Sequence, residues 1–164
     1  MSAALAAGEA GKRVILIEAR PYLGGFFQYR TADYNNKKSL SDRSEELIQQ
    51  VRAQPNIRLL AHSSMVGAYN NNLITGFQVG SERDNFDQRY FEIRAESVVV
   101  ATGCIERPLM FEHNEKPGVM QVACAHRLAH NFGLLPGKIA VFSIGTDLGL
   151  EAAVDLHDKG LKIE

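Results

Sequence analysis

A carboxylate closes the first long apolar run of the chain: "RVILIE" ends on Glu18, and "ARPYLGGFF" follows. An acid at the carboxyl end of a parallel strand can hydrogen-bond a ribose hydroxyl when a glycine turn stands about 20 residues before it. Gly24 and Gly25 lie in the loop after it, where backbone can approach a phosphate closely. A polar strand end explains Glu18 equally when it is taken alone. "SVVVATG" gives a second candidate. Small residues at a strand's carboxyl end, Ala101, Thr102 and Gly103, let a cofactor lie against backbone, and they also suit an ordinary tight turn. "FSIGTDLGLEAA" has the outline of a further glycine turn. With Gly149 as its last glycine, Ile144 and Thr146 occupy the other two glycine positions, and a side chain at 146 crowds a pyrophosphate.

Other chemistry-bearing residues give less. His126 and His130 stand at i, i+4, a spacing that can place two imidazoles on one metal. No third ligand is evident beside them, so the pair reads as a solvated or core-edge pair and no metal is expected. Cys104 follows the small-residue turn and either touches a cofactor or fills a small buried space. No Ser-His-Asp order with a G-x-S-x-G elbow occurs. No side chain stands out as a general acid or base, so the catalytic list is empty.

The elements that must position these residues alternate. An Ala-rich helix is expected over Ser2 to Ala10, ending at Gly11. Val14 to Ile17 reads as a strand covered on both faces. The Asn/Lys-rich segment from Thr31 to Leu40 reads as a polar surface stretch. A helix from Asp42 to Ala53 carries an apolar stripe of Leu47, Ile48 and Val51, with Asp42 and Glu45 spaced like a capping box. "IRLL" is a short strand. "MVGAY", "NLITGFQV" and "RYFEIRA" form a three-stranded antiparallel meander over about 65–94. "SVVVATG" returns to a buried strand. A two-proline loop leads to a helix over Val119 to Phe132, with Val122, Ala125, Ala129 and Phe132 on one face. "KIAVFSIG" is a buried strand, "TDLGLEAAVDLHDKG" a helix, and "LKIE" the start of another strand.

The fold class is therefore α/β, a Rossmann-like dinucleotide-binding fold of the two-domain flavoprotein type with an inserted meander. Residues 1–136 form a first dinucleotide-binding domain. Residues 137–164 begin a second, with the boundary at "GLLPG". A parallel strand fed by a helix normally follows another strand. The first strand and its glycine turn would accordingly lie before Met1, and the domains would be cut at both ends. Loss of that strand would expose apolar flanks of "RVILI" and "SVVVA", giving poor solubility or dependence on a partner.

Bulk properties narrow the class. The chain has 164 residues, 45% hydrophobic and 23% charged, with a net charge of −1. That balance offers no electrostatic case for nucleic acid or an anionic membrane. No apolar run approaches a membrane span. Two cysteines outside any Cys-x-x-Cys suit a reducing compartment, with a cytoplasmic location as the default.

From Gly11 to Lys138 the chain resembles the alpha subunit of heterotetrameric sarcosine oxidase. The stretches that carry this are "LIQQVRAQPNIRLLAHSSMVGAYNNNLITGFQ" and "IRAESVVVATGCIERPLMFEHNEKPGVMQVACAHRLAHNFGLLPGK", and the most specific part is "ATGxIERPLxFxxNxxPGVM". Alpha subunits of other amine and amino-acid dehydrogenases share the scaffold. The resemblance implies an oxidoreductase subunit that holds an adenine dinucleotide, NAD in sarcosine oxidase or FAD in some relatives. It also implies that FMN is buried at an interface with a beta subunit, where the amine is oxidised at a separate flavin. A folate-binding portion further along the family's alpha subunit takes the one-carbon unit released with glycine and hydrogen peroxide. Carried across by position, Glu18 would take the adenosine ribose, with Ala19 and Arg20 beside it. Gly24 and Gly25 would line the pyrophosphate loop. Met65 would meet adenine through its backbone, with Val66 next to it, and Ala101, Thr102 and Gly103 would close over the nucleotide.

Two other classes compete. A non-catalytic scaffold could hold partner subunits without cofactor, consistent with the degenerate second turn. A single-chain NAD(P)H-dependent flavin reductase is disfavoured by Ile144, Thr146 and the lack of Cys-x-x-Cys.

Overall fold

The structure is a computed structural model and describes residues 1–29 and 40–164. The chain is mixed α/β and divides into two compact units. The first comprises Met1–Gly25 with Asp42–Ala101; the second comprises Phe26–Ser41 with Thr102–Glu164. Of the polar segment expected over Thr31 to Leu40, all but Leu40 lies outside the described residues. Among the described residues, no helix is long and apolar enough to cross a membrane.

In the first unit, helix α1 (Ser2–Glu9) forms where alanine dominates. Its one interior glycine has a use. A Cβ on Gly8 would stand 3.1 Å from two side-chain carbons of Ile57, so the glycine lets the helix press close to the following sheet. Gly11 takes φ +75, and its N–H bonds the Gly8 carbonyl at 2.9 Å, closing the helix. Strand β1 (Val14–Ile17) pairs in parallel with β2 (Ile57–Leu60), Val14 opposite Ile57 and Ile17 opposite Leu60. A parallel pair needs a crossover, and α2 (Leu40–Ala53) supplies it. Ile48 and Val51 of α2 bury with Leu23 against Leu16, Ile57, Leu59, Met1 and the α1 residue Leu5. Each such burial stabilises by about 1.5–3 kcal/mol.

Two expectations need correction here. Asp42 does not cap α2; it lies in the first turn, where its charge favours the helix dipole. β1 is not covered on both faces: Ile15 is 42% exposed.

The meander follows as β3 (Ser63–Tyr69), β4 (Leu73–Val79) and β5 (Gln88–Arg94), antiparallel in that order. Asn71 and Asn72 turn the first hairpin with φ 58 and 50, a region asparagine tolerates better than most residues. In the second connection Asp84 accepts from the N–H and Oγ of Ser81, at 2.8 and 2.7 Å. The Arg89 guanidinium sits 4.4 Å from the Phe86 ring centre.

The expected buried strand over "SVVVATG" is not formed. Residues 97–103 carry no ladder, and Val99 and Val100 are 70% and 74% exposed. A strand exists only where a neighbour takes its N–H and C=O groups, and no described strand lies beside this one.

In the second unit, α3 (Val122–Phe132) ends on Gly133 at φ 64, whose N–H bonds the Ala129 carbonyl at 3.0 Å. Helix α4 (Asp147–Asp158) packs on α3. Ala125, Ala129, Leu156 and Leu161 form the core, with Ala140 and Phe142 at its edge. The buried face of α3 differs from the expected one: Phe132 is largely exposed and His126 is buried. "KIAVFSIG" gives only the two-residue strand β6 (Ile139–Ala140), paired in parallel with β7 (Lys162–Ile163), and Val141 is exposed. β7 is too short to hold a longer partner.

Candidate functional site

Glu18 directly follows β1, and the surrounding backbone is tied down. Its N–H donates to the Leu60 carbonyl at 2.9 Å, and its own carbonyl accepts from Ser63 N–H at 2.9 Å. The His62 N–H donates to the Arg20 carbonyl at 3.1 Å. Glu18 Oε1 accepts from Arg20 N–H at 2.9 Å, a local turn that aims the carboxylate. Ala19 is the residue enclosed by that turn. These bonds bring Glu18, Ala19 and Arg20 to the joint between β2 and β3.

Met65 and Val66 follow two and three residues after Ser63. They sit where the β3–β4 register slips between Met65 and Gly67, a bulge that re-aims side chains. Both are exposed. Gly24 and Gly25 take φ 113 and 55, conformations that suit glycine, and Gly25 opens a 3₁₀ turn running to Tyr29. Ala101 closes the first unit in the irregular, exposed segment. Thr102 and Gly103 belong to the second unit, with Gly103 at φ 78. Cys104 is exposed, so the buried alternative for it does not hold.

The second turn is filled by its own side chains. Thr146 is the N-cap of α4, and its Oγ1 accepts from Gly149 N–H at 3.3 Å. A Cβ on Gly149 would stand 2.9 Å from Cγ2 of Ile144, so that glycine admits Ile144.

The His126–His130 pair is neither solvated nor without a third group: Asp155, which the sequence does not single out, joins it in the second unit. The Nε2 atoms of His126 and His130 lie 3.0 and 2.8 Å from one oxygen, Oδ2, of Asp155 on α4. Lys159 Nζ is 3.5 Å from the other oxygen. The imidazoles meet edge to face, 4.6 Å between centres, and the Tyr29 ring lies 5.7 Å from that of His130. Burial, then the neighbouring His130, hold the His126 imidazole below its ordinary pKa, outweighing Asp155. Burial pushes the Asp155 carboxyl up, but its bond to His130 and the nearby cationic groups bring it below the ordinary value overall. The clue available in the sequence was Asp155 itself: a carboxylate beside Ala152 and Leu156 on the buried face of α4.

No family model matches the chain. Curated relatives do. A sarcosine oxidase alpha subunit of Rhizobium meliloti strain 1021 is 29% identical over 99% of the chain and 17% of its own length. Those of Corynebacterium strains P-1 and U-96 are 25% and 29% identical over 98% and 86% of the chain. The chain is similar to sarcosine oxidase alpha subunits. It spans about a sixth of the length of these sarcosine oxidase relatives. Among solved structures, the crystal structure of L-proline dehydrogenase from P. horikoshii superposes with a TM-score of 0.77 and 26% identity, over 98% of this chain and 31% of that one.

Proposed function

We propose that this chain is the dinucleotide-binding portion of a sarcosine oxidase-like alpha subunit, supporting flavin-dependent oxidation of an N-methyl amine or amino acid. The observation that carries the proposal is the fixed carboxylate of Glu18. It follows a parallel strand and is tied by hydrogen bonds to the joint from which Met65 and Val66 follow. Ligands of open α/β sheets bind outside the carboxyl ends of the strands. The residues fit an adenosine half. Glu18 would accept from ribose hydroxyls, with Ala19 and Arg20 beside it. Gly24 and Gly25 would flank the pyrophosphate, and Met65 with Val66 the adenine. Ala101 would cover the nucleotide, and Thr102 and Gly103, which open the second unit, are assigned to it by the resemblance alone. When bound, NAD or FAD supplies hydride or electron transfer. This chain's part is to bind and orient it.

The finer fold assignment belongs to the same proposal: a Rossmann-like flavoprotein with a first dinucleotide-binding domain over 1–136 and the start of a second over 137–164. So do FMN at a subunit interface, a beta subunit and further subunits, folate reached through another part of the alpha subunit, and a cytoplasmic location.

One observation favours a second reading, a scaffold that binds partner subunits without cofactor. Thr146 and Ile144 fill the later turn with the protein's own side chains, which suits a site that holds no phosphate. Nucleotide analysis separates the two. The protein, purified at full length, is denatured and the released nucleotide is identified by HPLC. About one NAD or FAD per chain, with at least a several-fold drop in Glu18→Gln, supports the proposal. No adenine nucleotide, or equal occupancy in the variant, contradicts it.

A further inference from the structure

Two imidazoles one helical turn apart on α3 converge on one carboxylate of α4. One ligand atom from each residue lies within 4.8 Å of the other two. We propose that His126, His130 and Asp155 form a binding site for a divalent transition metal of the zinc class, distinct from the nucleotide site. Two imidazole nitrogens and one carboxylate oxygen are a common zinc donor set, with a water in the fourth position. Ligand atoms about 2.0–2.2 Å from zinc in a tetrahedron stand about 3.3 Å apart. The two observed nitrogen–oxygen separations, 2.8 and 3.0 Å, need to open by a few tenths of an ångström, and the two imidazole nitrogens, within 4.8 Å of each other, must settle at the same spacing. Lys159 lies on the other carboxylate oxygen and steadies the group from outside, as the outer partners of metal ligands do.

Proton placement supports the same site. His126 is 3% exposed at its side chain, and its Nδ1 is buried with no partner among the described residues. With the proton on Nε2, both rings hydrogen-bond to Asp155, and Nδ1 keeps a buried lone pair with nothing to accept from. The rings of Phe26 and Tyr29 lie 6.1 and 6.2 Å from the imidazole between centres, and neither aromatic face gives a lone pair a donor. With the proton on Nδ1, lone pairs on Nε2 and Oδ2 face each other at 3.0 Å, and a cation between them resolves the conflict. His130 and Asp155 are about one-seventh exposed, which leaves room for water to complete the shell.

The test uses the full-length protein stripped with EDTA and titrated with Zn²⁺ by calorimetry, with circular dichroism to check folding. One zinc per chain is expected in the wild type beyond that bound by His130→Gln and Asp155→Asn, or an affinity about ten-fold or more weaker in those variants. Zinc should raise the thermal midpoint of the wild type and not that of His130→Gln or Asp155→Asn. If Asp155→Asn does not fold, His130→Gln decides alone, since it keeps the carboxylate and its lysine. His157→Gln, on an exposed side chain, should bind as the wild type does. Equal stoichiometry and affinity in the wild type and His130→Gln, or an equal loss in His157→Gln, overturns the proposal.

Discussion

The carbonyl oxygen of Glu18 accepts a 2.9 Å hydrogen bond from the backbone N–H of Ser63. The bond joins the end of β1 to the start of the meander. It ties the residue that bears the carboxylate to Ser63, which stands two residues before the bulge at Met65, on a backbone already pinned by Leu60. The ribose and adenine positions proposed for the chain thus share one rigid joint. Ser63 itself is almost fully buried, and its Oγ donates to the Ala61 carbonyl at 3.0 Å, which holds the joint in shape.

Asn56 ties the first helix to the sheet. Its Nδ2 donates to the carbonyls of Gly8 at 2.8 Å, in the last turn of α1, and of Lys12 at 2.7 Å, just past the helix. Asn56→Ala should lower stability by about 1–2 kcal/mol, the worth of two such bonds in partly solvated surroundings. Urea unfolding followed by circular dichroism checks it; an unchanged midpoint would mean that water replaces both bonds at no cost.

Leu156 is the most deeply buried side chain in the second unit. Leu156→Ala should cost about 2–5 kcal/mol through lost burial and the cavity left between α3 and α4. Hydrogen exchange should rise in both helices. A loss below about 1 kcal/mol would mean the helices close the gap.

Asp84 gives a pH signature. Its bonds to the Ser81 N–H and hydroxyl, helped by Arg89, hold its carboxyl below the ordinary carboxylate value. A depressed folded value means that its contribution is present above the ordinary value of 3.8 and is lost as pH falls through the folded one. An NMR titration should therefore find Asp84 titrating lower than an unstructured aspartate, and Ser81→Ala should move it back up. A midpoint that does not move in Ser81→Ala would mean that the hydroxyl adds nothing to the backbone bond and Arg89.

The elements that could be read from the sequence were those whose pattern is local. "VILI", "IRLL" and the meander announce themselves by β-branched runs between turn residues, and the Ala-rich helix by propensity. "SVVVATG" has the same composition as a strand, yet composition cannot supply the neighbour that takes its hydrogen bonds. Periodicity places Phe132 inward, whereas it is the histidines of α3 that face inward, where Asp155 meets them. That contact joins residues 29 positions apart on different helices, which spacing along one helix does not reveal.

Photolabelling tests the central claim most directly. The full-length protein is irradiated with an 8-azidoadenine analogue of NAD or FAD, with and without excess natural nucleotide, and the modified peptide is sequenced. The account predicts protectable label on the peptide containing Met65 and Val66. Protectable label on the turn from Ile144 to Gly149 instead, or none that the natural nucleotide displaces, would contradict it.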